Sequence, residues 1–155
     1  MGKIHLKFMK SQEEQGNNPS VQREFQSVQE YLDRQSWNMD TEGIYIILLK
    51  GLYDDLTKKM TTVMVFVNHS GKAIRELSGV LHIRVQDPEI QIARVTFGFD
   101  TPFFGRIQQD EGILLHVQIP VKGQKGDRIF EQKDLIAELS KVKITYEEEE
   151  NEKVY

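Results

Sequence analysis

From about residue 41 to residue 147 the apolar residues recur at every second position, while the stretch before it repeats them at helical spacing. In that earlier stretch Val21, Phe25, Val28 and Leu32 fall on one stripe, which Tyr31 widens, and the other faces carry Gln, Arg, Glu and Asp. The spacing predicts an amphipathic helix over 19–36. Asn18 suits its N-cap, and Pro19 suits the first turn, where a missing N–H costs nothing. Such a stripe must lie on something apolar: either its own domain or a partner, in docking or in a homodimer.

The twofold period then sets out the strands. Gly43–Leu49 ("GIYIILL") is apolar on both faces, as in a strand covered on both sides. Thr61–Asn68 places Val63, Val65 and Val67 on one face and Met64 and Phe66 on the other. Ser70–Lys72 forms a turn, and Leu77, Leu81, Ile83 and Val85 then alternate with polar residues. The run from Val67 to Asp87 is therefore expected to form two neighbouring strands. In "EIQIARVTFGF" Ile90 and Ile92 share one parity, and Ala93, Val95, Phe97 and Phe99 the other. That break predicts a bulge or a strand that changes sheets. A loop with Pro102 and Gly105 follows, then an alternating strand from Ile113 to Ile119. A turn at Lys122–Asp127, a short helix or loop in "FEQKDLIAEL", and a strand with Val142, Ile144 and Tyr146 complete the order.

Six to seven strands with turns every 8–12 residues, and no helices between them, predict a mainly β protein. The expected fold is an immunoglobulin-like antiparallel β-sandwich with one N-terminal amphipathic helix. Residues 1–18 are read as a flexible N-terminal segment, 19–36 as the helix, 41–147 as the sandwich and 148–155 as an acidic tail.

Trp37, then Gly43–Tyr45, then "VMVFVNHSGKAI", then a long strand and "FFGRIQQDEGILLHVQIPV" resemble small bacterial β-sandwich domains of the SLAP type, named for surface-layer assembly proteins. In that family a strand ending in Asn meets a Gly-containing turn, and a later Gly-x-Ile turn leads into a strand. Asn68, Gly71, Ile74, Gly105 and Ile107 stand at those positions, and the likeness covers about two-thirds of the chain. The resemblance implies a binding or assembly module, with no catalytic residues to carry over.

Composition narrows the chemistry. The 155 residues include no cysteine, which removes disulfides, zinc–thiolate sites and cysteine nucleophiles together. A net charge of -4 gives no global field for nucleic acid, and Lys122, Lys125 and Arg128 make only a small basic patch. No apolar run reaches the ~20 residues of a membrane span, and residues 1–15 lack the core of a signal peptide. The chain as given is expected in the cytoplasm, or at the cell envelope if it is a fragment of a larger protein.

His5, His69, His82 and His116 show no metal-ligand spacing. His82 and His116 could meet if their strands were neighbours, and the alternative function built on them is a metal-dependent hydrolase or lyase; otherwise they are solvated strand residues. The carboxylates at Asp54–Asp55, Asp87 with Glu89, and Asp110–Glu111 fall at turns, where conformation alone explains them. No Gly-x-Ser-x-Gly, phosphate loop or EF-hand loop occurs, and no cofactor is expected. For partner binding the candidates are Phe103, Phe104 and Arg106 in the loop, and Val21, Phe25, Val28 and Leu32 on the helix. Either phenylalanine could instead plug one end of the sandwich. The expected function is a non-catalytic protein-interaction or assembly module of a bacterial protein, with a phage or particle component as a further alternative.

Overall fold

The computed structural model describes residues 3–7, 18–37, 40–99 and 105–146. It is mainly β, with two sheets and one helix near the N-terminus, arranged as a sandwich. The strands are β1 (His5–Lys7), β2 (Gly43–Asp54), β3 (Lys59–His69), β4 (Ile74–Arg84), β5 (Gln91–Ile92), β6 (Val95–Phe99), β7 (Glu111–Lys122), β8 (Arg128–Glu131) and β9 (Ile136–Tyr146); the helix α1 spans Pro19–Arg34. The larger sheet runs β1-β7-β3-β2-β8, with β5 also on β7, and the smaller runs β6-β4-β9.

The two-faced strands of the sequence sit in the middle of three layers. Ile44, Ile46 and Leu48 of β2, with Met64 and Phe66 of β3, face the core between the sheets. Tyr45, Ile47 and Leu49, with Val63, Val65 and Val67, face the other way and meet Val28 and Leu32 of α1. The helix thus covers the outer face of the larger sheet, which is why both faces of these strands are apolar. Asn18 caps α1 by accepting from the Ser20 N–H at 2.9 Å, and Trp37 donates its indole N–H to the Leu32 carbonyl at 2.9 Å. Among the described residues no helix is long and apolar enough to cross a membrane.

Several expectations are corrected. The N-terminal segment is not wholly an appendage. Residues 5–7 pair parallel with β7, and Ile4 and Leu6 are buried beneath α1. Gln29 fastens them, accepting from the Leu6 N–H at 2.8 Å and donating to the Ile4 carbonyl at 2.9 Å. The sandwich therefore holds one parallel pairing, and among the described residues eight strands, several of them very short, lie within 41–147, where six or seven were expected.

The run Val67–Asp87 joins two consecutive strands, as expected, but they lie in different layers. Strand β3 lies in the larger sheet and β4 in the smaller, so its turn is a crossover between layers. Asn68, fully buried, holds that crossover: its amide donates to the carbonyls of Lys72 and Ile107, both at 2.8 Å, and its oxygen accepts from the Ser70 N–H at 3.0 Å. The break near Ile92–Ala93 is the point where the chain changes sheets, β5 pairing with β7 and β6 with β4.

The expected short helix is instead β8, one 3-10 turn (Gln132–Asp134) and the start of β9. Alternation is hard to see there because β9 is irregular. Its register against β4 shifts between Ser78 and Val80, and Lys141 takes φ 52°. Ala137 and Leu139 therefore face the core on one side of the bulge, and Ile144 and Tyr146, of opposite parity, on the other.

Candidate interaction surface

Strand β2 pairs with β3 along its whole length but with β8 only from Lys50 to Tyr53. From Gly43 to Leu49 its second side has no strand partner among the described residues. The hydrogen bonding fixes which groups point outward. Asn68 accepts from the Asp110 N–H at 2.6 Å, so its backbone faces β7 and away from β2. Its register partner on β2, Ile44, must then direct N–H and C=O away from β3, and Ile46 and Leu48 follow by alternation. The Leu48 carbonyl agrees, since it accepts from the Gln132 side chain at 2.7 Å. Gln132 thus closes the lower limit of the open edge and leaves Ile44 and Ile46 presenting backbone groups with no strand partner among the described residues.

No charge, proline or bulge interrupts Gly43–Leu48; the register shift comes only between Leu48 and Lys50. Beside this edge, a depression of about 520 Å³ lies between α1 and the sheet, floored by Val28, Tyr31, Leu49 and Val63. Beyond the helix the outer face continues to Leu52, 37% exposed, and Ile129, 67% exposed, which are register partners.

The helical candidates divide. Val28 and Leu32 are buried in the domain's own apolar cluster, and Phe25 packs against it half-buried. Val21 is half-buried at the start of α1. Packing on its own sheet, the first of the two readings of the stripe, describes Val28 and Leu32. Phe103 and Phe104 lie outside the described residues. Arg106 is exposed, and its carbonyl accepts from the Lys7 ammonium, which ties β1 to this loop.

His82 and His116 are not brought together. His82 points outward from β4 in the smaller sheet, between Leu81 and Ile83 of the core. His116 points outward from β7 in the larger sheet and meets Glu24 of α1 at 2.9 Å. The two sheets stand between them, so the pair cannot share one ion. No group of three or more His, Cys, Asp or Glu among the described residues is placed to hold a metal.

One polar cluster was not visible in sequence. His69 Nδ1 lies 2.6 Å from Asp110 Oδ1 and 3.1 Å from the Gln109 amide nitrogen, whose own oxygen accepts from the Gly71 N–H at 2.6 Å. A His–Asp pair can polarise a nucleophile, but Ser70 is committed elsewhere: its Oγ is 2.6 Å from Asn68 Oδ1 and 3.2 Å from the Lys72 carbonyl. The cluster holds the crossover turn against the β7 turn, two segments 41 residues apart. Only the fold brings them together.

At the other end of the sandwich a depression of about 540 Å³ is lined by Lys58, Lys59, Lys122 and Lys125 around Tyr53, Pro120 and Val121. Lys58 bonds Asp55 at 2.7 Å, and that ammonium holds the Asp55 carboxyl below its ordinary pKa while its own is raised. Asp54 and Asp127 accept from backbone N–H groups of the same turn, at Leu56 and Asp55. Gly123 closes one wall at φ 93°, where a Cβ would stand 1.9 Å from the Glu89 carbonyl oxygen. No family model, curated protein or solved structure matches this chain.

Proposed function

We propose that the chain is a non-catalytic protein-interaction or assembly module that takes up an extended strand of a partner protein along Gly43–Leu48 of β2. The observation that carries this reading is an apolar sheet edge with outward backbone groups at Ile44 and Ile46 and none of the devices that normally close such an edge. An added strand would satisfy those groups by main-chain hydrogen bonds, and the apolar faces on either side would cover its alternate side chains. The engagement of the His69, Asp110 and Ser70 side chains in holding turns supports the non-catalytic part. The resemblance to SLAP-type domains supports an assembly role in a bacterial envelope.

The test compares the full chain with Tyr45→Lys, which places a charge in the open stretch at a half-buried position whose stem can still pack. Affinity capture from the source organism's extract is expected to retain a partner on the parent protein and lose it on the variant. Hydrogen exchange at the Ile44 and Ile46 amides is expected to slow when that partner binds. A partner that both proteins hold equally, with no slowing at those amides, would sink this reading.

A further inference from the structure

Four lysines line the depression at the β2–β3 end of the sandwich, where Asp54, Asp55 and Asp127 are engaged within the turns, and the edge of β2 does not explain them. The lysine-lined depression sits beside the β2–β3 turn and the β7–β8 turn. Among the described residues Lys59, Lys122 and Lys125 have no recorded carboxylate partner. At the opposite end β9 finishes at Tyr146, the register partner of Ile74, which in turn bonds Ile107 close to the start of β7. Directly after Tyr146 the sequence runs Glu147–Glu150, four carboxylates in succession.

Length decides whether the run can meet those lysines within one molecule. Strand β7, 12 residues long, separates the two ends and covers roughly 36 Å at about 3.3 Å per residue. Four extended residues reach about 14 Å. A four-residue run starting after Tyr146 is therefore too short to span β7 to its own molecule's lysines, whereas the end of a second copy stacked end to end has no such distance to span. We propose that Glu147–Glu150 of one copy dock in the depression lined by Lys58, Lys59, Lys122 and Lys125 of the next, joining copies head to tail. Tyr53, Pro120 and Val121 supply an apolar floor for the glutamate methylenes. The contact uses a different patch on each partner, so it is heterologous and builds open chains unless a rotation closes them.

Two full-length variants test this. One carries Glu147→Gln, Glu148→Gln, Glu149→Gln and Glu150→Gln; the other carries Lys122→Glu and Lys125→Glu. Sedimentation of the parent protein at low salt is expected to show mass rising with concentration, and association at least about tenfold weaker at 0.5 M salt, because exposed charges are screened. Each variant alone is expected to remain a monomer. Mixed, they should form a 1:1 complex that grows no further, since the glutamine variant keeps its lysine end and the lysine-reversed variant keeps its glutamates. A soluble six-residue peptide, Glu-Glu-Glu-Glu-Asn-Glu, should compete with chain growth. Association that persists in the glutamine variant would overturn the proposal and assign self-contact to the edge of β2. A parent protein monomeric at low salt, or a mixture without complex, would overturn it as well.

Discussion

Strand β9 and the first half of β2 are both sheet edges, and they are built in opposite ways. Strand β9 exposes Glu138, which reaches Arg84 of β4 at 2.9 Å, with Lys141 and Lys143, and a bulge at Lys141 turns part of the strand out of line. Those are the features by which a β protein keeps an edge from pairing with another chain. From Gly43 to Leu48, β2 has none of them, although it is flat enough to pair with β3 without interruption over that stretch. The other edge strands, β1, β5, β6 and β8, are short, at three, two, five and four residues. Between β1 and β5 the side of β7 away from β3 has no strand partner from Leu114 to Pro120 among the described residues, a stretch that holds His116, Gln118 and Pro120. Of the two long open stretches, Gly43–Leu48 is the one without a polar side chain or proline, and for that reason the proposed partner strand is placed there.

The largest effect expected from breaking this contrast comes from the residue that fixes the upper end of β3, against which the edge of β2 is aligned. Asn68→Ala deletes both amide donors and the acceptor for Ser70, leaving the Ile107 carbonyl with the Ile74 N–H alone and the Lys72 carbonyl with the Ser70 hydroxyl alone. A loss of about 3 kcal/mol in urea-induced unfolding is expected, with the Tyr45 and Ile47 amides, which face β3, exchanging faster than in the parent. A loss below about 1 kcal/mol would mean that the crossover is held by its neighbours and that the edge does not depend on it.

The alternation of β2 and β3, the capping of α1 and the sheet change after Ile92 could be read from sequence because each is a local pattern. The open edge could not. Whether Ile44 has a second partner depends on where Arg128–Glu131 pair, far along the chain, and no local period records that. The same limit hid the His69–Asp110 pair and left open which sheets β3 and β4 join: Ser70–Lys72 has ordinary turn chemistry, and the pairing of the two strands with different neighbours shows that it crosses layers. Strand β1 was missed for another reason. Ile4 and Leu6 alternate over too few residues to stand out from a polar segment, and the parallel pairing and Gln29 make them part of the sheet.

A smaller effect, of opposite sign, is expected beneath the paired half of β2. Thr62 is fully buried opposite Gly51 and Val117, and among the described residues its hydroxyl is the one buried side-chain oxygen or nitrogen with no hydrogen-bond partner. Thr62→Val keeps the shape and removes the unsatisfied group, so stability is expected to rise by about 1 kcal/mol. For a domain of this size thermal unfolding should move up by roughly 3 °C. Because Thr62 lies away from Gly43–Leu48, partner capture is expected to be unchanged. A gain in stability that also weakened capture would show that binding uses flexibility in β2 rather than its exposed backbone groups alone.

The least change in stability, and the most direct challenge to the contrast, comes from stripping charge from the closed edge. Lys143→Val on β9 replaces an exposed cation by a strand-favouring residue, and the folding free energy should stay within about 0.5 kcal/mol of the parent. If charge is what closes β9, light scattering on mild heating should rise faster than in the parent, with the new association insensitive to Tyr45→Lys. If scattering is unchanged, the bulge at Lys141 is sufficient protection by itself. The difference between the two edges would then rest on backbone shape, and an inserted residue between Tyr45 and Ile46 would close β2 where a lysine at position 45 would not.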